Sequence, residues 1–142
     1  MARHKDYIKV LEHNKIEIVY GKFRAMDKKC TRCNKVYSTH EEKRTDVNIA
    51  IKLLEDAIND DFDIAVLISG DSDLIPAIET AKKIKPEKQF GVIIPYSRPA
   101  EELKHVAHFY MKMKEEHLQK SLLDEKVPLN DGTVITCPHS WK

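Results

Sequence analysis

Two carboxylates, one residue apart, follow an apolar run in the middle of the chain. The run is Ile64–Ile68, and Ser69 and Gly70 separate it from Asp71 and Asp73. Because no polar residue interrupts the run, it predicts a strand buried on both faces. Glycine allows the backbone to turn sharply after such a strand. Carboxylates at this end of a strand in an open α/β sheet lie where ligands bind, and two of them suit a divalent cation.

Helix capping is the structural alternative for these acidic residues. Residues 74–84 have apolar side chains at helical spacing, so Ser72 or Asp73 would cap that helix, and Pro76 is tolerated in its first turn. Capping requires one acidic residue and not two, and two like charges disfavour each other unless a cation or proton relieves them. Both interpretations stay open on the residues alone.

A third carboxylate, Asp46, stands at the start of a second predicted helix. The helix is indicated by apolar residues with a period close to 3.6: Val47, Ala50, Ile51, Leu54, Ala57 and Ile58. Thr45 or Asp46 would cap it, and the helix macrodipole favours a carboxylate there whatever its function. We also expect this helix start to bring Asp46 to the same sheet edge as Asp71 and Asp73. Glu42 is either a further ligand or part of a solvated approach to the helix.

Cys30 and Cys33 suggest a different metal site. Two cysteines separated by two residues form half of a zinc knuckle, here within the polar stretch of residues 28–40, which we predict to be a loop. Tetrahedral zinc needs two further ligands, and the candidates are His40, Cys137 and His139. The alternative is a pair of free thiols in an exposed loop. A redox role is disfavoured because the pair does not lie between a predicted strand and a helix.

The remaining patterns predict the elements that position these side chains, and they alternate as in an α/β fold. A short helix is expected around residues 7–11, ending near Asn14, and a strand at Ile16–Tyr20. Further along the chain, we predict a buried strand at 89–95, a helix at 100–107, an edge strand at 109–113 and a helix at 115–123. The loop after residue 95 contains Arg98, which either reaches a phosphate or is a plain surface arginine.

Length and composition indicate one globular domain spanning residues 1–142. The chain is 42% hydrophobic and has a formal charge of +1 from 24 basic and 23 acidic residues, so any surface that binds phosphate must be local. No apolar run approaches the roughly 18 residues of a membrane span, and the first residues lack a signal-peptide core, so we predict a cytoplasmic protein. Three cysteines fit reduced thiols or a metal site better than disulfides.

Three motifs together resemble the NYN family of PIN-like ribonucleases, in particular its bacterial LabA-like branch. They are Glu42-Lys43, Thr45-Asp46-Val47-Asn48 and Ser69-Gly70-Asp71-Ser72-Asp73-Leu74. The similarity extends over nearly the whole chain, including Tyr20–Phe23, the cysteine pair, Gly91–Pro95 and the tryptophan of the tail.

The resemblance implies a three-layer α/β/α fold with a mostly parallel sheet, and an acidic cluster that binds Mg²⁺ or Mn²⁺ and hydrolyses RNA. Such an ion would polarise the phosphate and place the attacking water, so no side-chain nucleophile is required. By position, the family's acidic residues correspond to Asp46, Asp71 and Asp73, which would serve as catalytic residues and metal ligands. Glu42 is a further ligand by adjacency, and the residues expected to bind substrate are Lys43, Asn48, Ser69 and Arg98.

One departure from the family concerns its first strand. Members usually begin with a strand carrying an Asp-Gly-Phe-Asn motif, and nothing of that kind precedes Arg3. The chain is then a fragment, or a second copy or another chain supplies the strand, or the protein is shortened and no longer cleaves. If the remaining strands close the gap, Ile16–Tyr20 should pair with Ile64–Ile68. Two functions stay open: a metal-dependent ribonuclease, and a non-catalytic module that binds RNA or protein.

Overall fold

The computed structural model describes residues 2–98 and 100–141 and separates the chain into two compact units. One unit comprises Met1–Val19 and Glu116–Lys142, and the other comprises Tyr20–Glu115. Single 3-10 turns lie at Ser72–Leu74 and His139–Trp141. The helices and strands follow in chain order as α1 (Ala2–His13), β1 (Lys22–Lys29), β2 (Val36–Lys43), α2 (Thr45–Asn59), β3 (Ile64–Ile68), α3 (Ile75–Ile84), β4 (Gln89–Ile94), α4 (Glu101–Val106), β5 (Phe109–Lys112), α5 (Glu115–Lys120), β6 (Lys126–Pro128) and β7 (Val134–Thr136).

A three-stranded parallel sheet with the order β3–β4–β5 forms the centre of the larger unit. Helices α2, α3 and α4 contribute to the core on one face of this sheet. The buried members of that core are Leu53, Ala57, Ala77, Ile78, Ala81, Phe90, Val92, Ile94 and Leu103. The predicted α/β fold with a parallel sheet is therefore confirmed. Within this unit taken alone, helices and sheet make two layers.

Strand β3 has one covered face and one exposed face, so the prediction of burial on both faces is wrong. Ala65 and Leu67 pack against the core. The alternate residues Ile64, Val66 and Ile68 are 55%, 46% and 62% exposed. The reason is the alternation of side chains along a strand, combined with helices of this unit that pack on one face alone.

Residues 16–20 do not form a strand, so the predicted pairing of Ile16–Tyr20 with β3 is also wrong. The segment has no ladder partner, and Ile16 and Val19 are about half exposed. Among the described residues, β3 pairs with β4 and its other edge is open. A β-branched run makes a strand only where a partner accepts its backbone hydrogen bonds, and local propensity does not provide one.

The polar stretch that we predicted to be a loop forms an antiparallel hairpin instead. Strands β1 and β2 pair along their full length, from Lys22 opposite Lys43 to Lys29 opposite Val36. No residue of either strand is buried. The cysteine pair lies in the turn that joins them.

The smaller unit contains α1 and the hairpin β6–β7. As predicted, α1 ends near Asn14, whose backbone N–H and Nδ2 both donate to the carbonyl of Val10, at 3.1 and 2.8 Å. The ring of Trp141 meets that of Tyr7 edge-on, with centroids 5.9 Å apart. None of the helices within residues 2–98 and 100–141 has the length and apolar character that a membrane crossing requires.

Candidate functional site

The loop after β3 is held by two hydrogen bonds between residues that are two positions apart in sequence. Ser69 Oγ accepts from the backbone N–H of Asp71 at 3.1 Å, and Asp71 Oδ1 accepts from the backbone N–H of Asp73 at 3.0 Å. Asp71 therefore caps the 3-10 turn. The N-cap of α3 is Leu74, with no capping side chain, so the alternative that Ser72 or Asp73 caps that helix is wrong. Capping and ligand binding are compatible here, since Oδ2 of Asp71 has no hydrogen-bond partner within the described part of the chain.

A cavity of about 500 Å³ opens at the carboxyl ends of β3 and β4. Its lining is largely polar and consists of Ile68, Ser69, Gly70, Asp71, Ser72, Pro95 and Arg98. A carboxylate and a guanidinium thus share one cavity at the sheet edge where open α/β folds bind ligands. This arrangement suits a ligand that carries both a metal-binding oxygen and a phosphate.

The arginine is presented by a tight turn after β4. The backbone N–H of Arg98 donates to the carbonyl of Pro95 at 3.2 Å. Ser97 has a φ of 60°, in the left-handed region, which costs free energy for a residue with a side chain. This turn therefore holds the backbone of Arg98 at the lining of the cavity.

The other two predicted carboxylates do not line the cavity. Asp73 is exposed in the 3-10 turn, and Asp46 is exposed in the first turn of α2. Among residues 2–98 and 100–141, no three His, Cys, Asp or Glu side chains lie close enough together to hold a metal ion. The structure therefore brings Ser69, Asp71 and Arg98 together, and Asp71 is the carboxylate that the cavity contains.

The start of α2 differs from its predicted form. Its N-cap is Arg44, with a φ of 79° and no capping side chain, so the expectation that Thr45 or Asp46 caps the helix is wrong. Thr45 Oγ1 instead donates to Glu42 Oε1 at 2.5 Å. A tight connection from β2 into α2 forces this left-handed backbone and turns the threonine side chain back toward the strand.

Two predicted substrate-binding residues near this helix start also have protein partners. Asn48 Nδ2 donates to the carbonyl of Tyr20 at 3.2 Å. Lys43 Nζ lies 3.1 Å from Glu41 Oε1 in a half-exposed ion pair. The bond of Asn48 ties α2 to the chain just before β1, so Asn48 has a structural role whatever else it does. The ion pair lies within β2.

The cysteine pair lies in a turn that two backbone hydrogen bonds close. Cys30 donates its N–H to the carbonyl of Lys35, and its own carbonyl accepts from the N–H of Asn34, both at 2.9 Å. Hydrogen bonding to the Cys30 sulfur lowers the pKa of that thiol below its usual value. The largest contribution comes from the backbone N–H of Cys33 and the next from that of Arg32. Favouring the thiolate favours metal binding.

None of the three candidates for completing a zinc site belongs to the turn that carries the cysteine pair. His40 is in β2 opposite Ala25, four residues beyond the start of the strand and hence about 13 Å along it. Cys137 and His139 belong to the smaller unit, where the N–H of Cys137 donates to the carbonyl of Glu125 at 2.8 Å. The larger unit therefore supplies half of a tetrahedral site.

Four positively charged residues surround the cysteine pair, and the prediction of a zinc site does not take them into account. They are Lys28, Lys29, Arg32 and Lys35, and residues 28–35 contain no acidic residue. The signal is present in the sequence as a local charge excess. This charge excess is missed when the stretch is interpreted as a zinc loop alone.

The fold is that of an α/β protein, and its polar cavity lies at the carboxyl ends of parallel strands, where open α/β folds bind ligands. The chain belongs to the NYN domain family, whose pattern matches residues 2–114. This is a family with a nuclease-like fold, so the predicted relationship to it is confirmed.

Two further comparisons identify similar proteins, one by sequence and one by structure. The chain is 27% identical over 109 residues to 6-hydroxy-3-succinoylpyridine 3-monooxygenase HspA of Pseudomonas putida, across 68% of this chain and 35% of that protein. It resembles the crystal structure of a Vibrio parahaemolyticus protein of unknown function, with a TM-score of 0.58 and 18% identity over 80% of this chain and 62% of that one. The chain thus spans about a third of the curated relative and less than two thirds of the structural one.

Proposed function

We propose that this protein is a divalent-metal-dependent ribonuclease whose reaction centre is the cavity between Asp71 and Arg98. The observation that carries the proposal is that these two side chains line one cavity at the carboxyl ends of β3 and β4. Membership of a family with a nuclease-like fold adds support. The relative named as a monooxygenase is a protein of which this chain covers 35%, so its activity does not guide the proposal.

The donors in the cavity suit Mg²⁺ or Mn²⁺. Carboxylate oxygen is the ligand that such hard ions prefer, and Mg²⁺ is commonly held by one or two carboxylates with waters and substrate phosphates completing its shell. Asp71, with one oxygen free of protein hydrogen bonds in the described structure, fits that mode of binding. When bound, the ion would polarise the phosphate and lower the pKa of the attacking water.

The chain's own residues would orient the substrate. Arg98 presents a planar fork that matches two phosphate oxygens, and an arginine in a cavity does so better than a lysine. Ser69 fixes the backbone of Asp71 and so positions its carboxylate. Asp46, Asp73 and Glu42 as ligands, and Lys43 and Asn48 as substrate contacts, are proposed on the family resemblance alone.

The test is cleavage of a labelled RNA by purified protein with and without Mn²⁺. The wild type should cleave only with metal, and Asp71→Asn should lose most of that activity while keeping its fold. Arg98→Lys should weaken cleavage less, because it keeps the charge and loses the fork. Asp61→Asn, on an exposed carboxylate at the opposite end of the sheet, is the matched control. Equal cleavage by wild type and Asp71→Asn would mean that the activity is a contaminant.

A second candidate function is RNA binding without cleavage. It is favoured by a specific observation, namely that no three potential ligands converge on a metal site within the described residues. Under this alternative, the wild type binds RNA with an affinity that Arg98→Gln weakens, and no product forms with Mg²⁺ or Mn²⁺.

A further inference from the structure

The β1–β2 hairpin with its turn, residues 22–43 and here called the arm, is a structural element that the core does not use. Each of its strands has eight residues, which gives a length of about 27 Å. None of its residues is buried, and none belongs to the hydrophobic core of the unit. A lone two-stranded hairpin is marginally stable in water, so an exposed arm of this length is suited to a partner.

The arm is also the most cationic part of the chain. Residues 28–35 carry four positive charges and no negative one, although the whole chain has a formal charge of only +1. Within the described part of the chain, these four cations form no ion pair. Unpaired, clustered cations on an exposed tip attract a polyanion strongly and in a salt-dependent way.

One face of the arm places an aromatic ring beside one of these cations. Directly opposed residues in an antiparallel pair project to the same face, so Tyr37 stands beside Lys28. Further along that face lie Arg24 and Lys22, with Glu41 and Lys43 opposite them. Tyr37 is 51% exposed. An exposed ring beside cations is the combination with which proteins stack unpaired bases and follow the backbone of a single-stranded nucleic acid.

The base of the arm lies at the same edge of the sheet as the candidate reaction centre. A Cβ on Gly21 would lie 2.6 Å from Thr45 Oγ1, so the chain before β1 runs against the first turn of α2. That helix ends five residues before β3 begins and contacts the 3-10 turn of Ser72–Leu74. Its start therefore lies at the carboxyl edge of the sheet, where the cavity opens.

We propose that the arm is a binding site for single-stranded RNA, which its cations hold by the phosphates and Tyr37 by a stacked base. The proposal rests on the proposed function only for the choice of RNA as the polyanion. The exposed tip of the arm binds the RNA, and the arm directs the RNA toward the cavity near the base of the arm. Zinc at the cysteine pair is not required, since the backbone bonds of the turn already order the tip.

Binding is measured by fluorescence anisotropy of a labelled 20-nucleotide RNA, in the Asp71→Asn background and without divalent metal, so that cleavage does not interfere. Replacing the four tip cations, Lys28, Lys29, Arg32 and Lys35, by alanine should weaken binding about tenfold or more at low salt. The slope of log K against log salt should become shallower by about 0.7 for each RNA phosphate that the variant no longer neutralises. A matched control replaces Lys5, Lys9, Lys15 and Lys126, four exposed cations outside the arm, and should change affinity less than twofold.

Two further variants separate stacking and folding from charge. Tyr37→Ala should lower the affinity for the single strand about fivefold or more, and Tyr37→Phe should retain it, because stacking needs the ring. Joining Asp27 to Ser38, which face each other, through an Asn-Gly turn removes the tip. The deletion also removes Tyr37. This variant should therefore melt like the wild type and bind RNA more weakly than the tip variant, which keeps the ring.

The proposal is overturned if the tip variant and the control bind alike, or if duplex RNA of equal length binds more tightly than the single strand. Weaker binding by the tip variant with no cleavage by the wild type would refute the ribonuclease and leave the arm proposal standing. Metal-dependent cleavage with no effect of the tip variant would do the reverse.

Discussion

At the residue scale, Asp71 has two roles that two substitutions separate. Its Oδ1 caps the 3-10 turn, and the residue lines the cavity. Asp71→Asn keeps a hydrogen-bond acceptor at the cap, so its free energy of unfolding should lie within about 0.5 kcal/mol of the wild-type value. Asp71→Ala removes the acceptor and should lower the free energy of unfolding by about 1 kcal/mol. Both should abolish metal-dependent cleavage. Urea denaturation beside the cleavage assay checks this, and equal stability of the two variants would show that the cap contributes nothing.

Gly91 is a position in β4 where no side chain fits. The ring of Phe109 in the neighbouring strand lies over it, in the space that a Cβ would occupy. Gly91→Ala should therefore destabilise the fold by about 1–3 kcal/mol through overpacking. Adding Phe109→Leu should recover part of that loss, and a double-mutant cycle from chemical denaturation measures the coupling. Additive effects of the two substitutions would contradict the steric explanation.

The Cys30 thiol should react unusually fast. The backbone N–H groups that point at its sulfur lower its pKa, and the thiolate is the reactive form. Alkylation by iodoacetamide, followed by peptide mass spectrometry, should reach its plateau at a lower pH for Cys30 than for N-acetylcysteine. Zinc should protect both cysteines of the knuckle if they bind it. A rate profile that coincides with that of N-acetylcysteine would refute the effect of the turn.

At the scale of elements, a buried lysine joins the end of α2 to the start of β4. Lys88 is 7% exposed, and its Nζ lies 2.8 Å from Asp60 and 3.3 Å from Asp63. The hydrogen bond from Lys88 lowers the pKa of Asp60, and the bond to Asp60 raises that of Lys88. The ion pair stabilises the fold above the unfolded Asp pKa of about 3.9, and this contribution is lost as the pH falls through the lower folded value.

Lys88→Met should therefore melt at a lower temperature than the wild type at pH 7, and the difference should shrink as the pH approaches 3. At alkaline pH, this difference in melting temperature should shrink again only above the usual pKa of a lysine side chain, because the pKa of Lys88 is raised in the folded state. Lys83→Met, on an exposed lysine of α3, is the control and should show no such dependence. Calorimetry across the pH range checks this, and a difference that does not vary with pH would contradict it.

The sequence predicts an element correctly when the signal is local, and the prediction fails when a strand forms only if another strand pairs with it. The helical period of residues 47–58 and the apolar run 89–94 lie in α2 and β4 as predicted. Residues 16–20 have the composition of a strand but gain no ladder, and the polar residues of β1 and β2 form one because each strand faces the other. In the site, the loop after β3 was predictable from Gly70 and the carboxylates. The placement of Asp71 and Arg98 in the lining of one cavity was not predictable, because it depends on how two loops distant in sequence fold.

At the scale of the whole molecule, charge and apolar surface are unevenly distributed. The chain has a formal charge of only +1, yet residues 28–35 alone carry four positive charges. A near-neutral protein has little net repulsion between copies. Its apolar surfaces therefore decide how it associates.

The open edge and exposed face of β3 should make this protein self-associate. Ile64, Val66 and Ile68 are about half exposed beside an edge that pairs with no strand among the described residues, and such edges accept a further strand. Val66→Lys places a charge in this face and should weaken self-association about tenfold or more, as measured by sedimentation velocity over a concentration series. Val47→Lys, on a valine of α2 that is 60% exposed, should change it little. If both variants associate like the wild type, a surface other than β3 joins the copies.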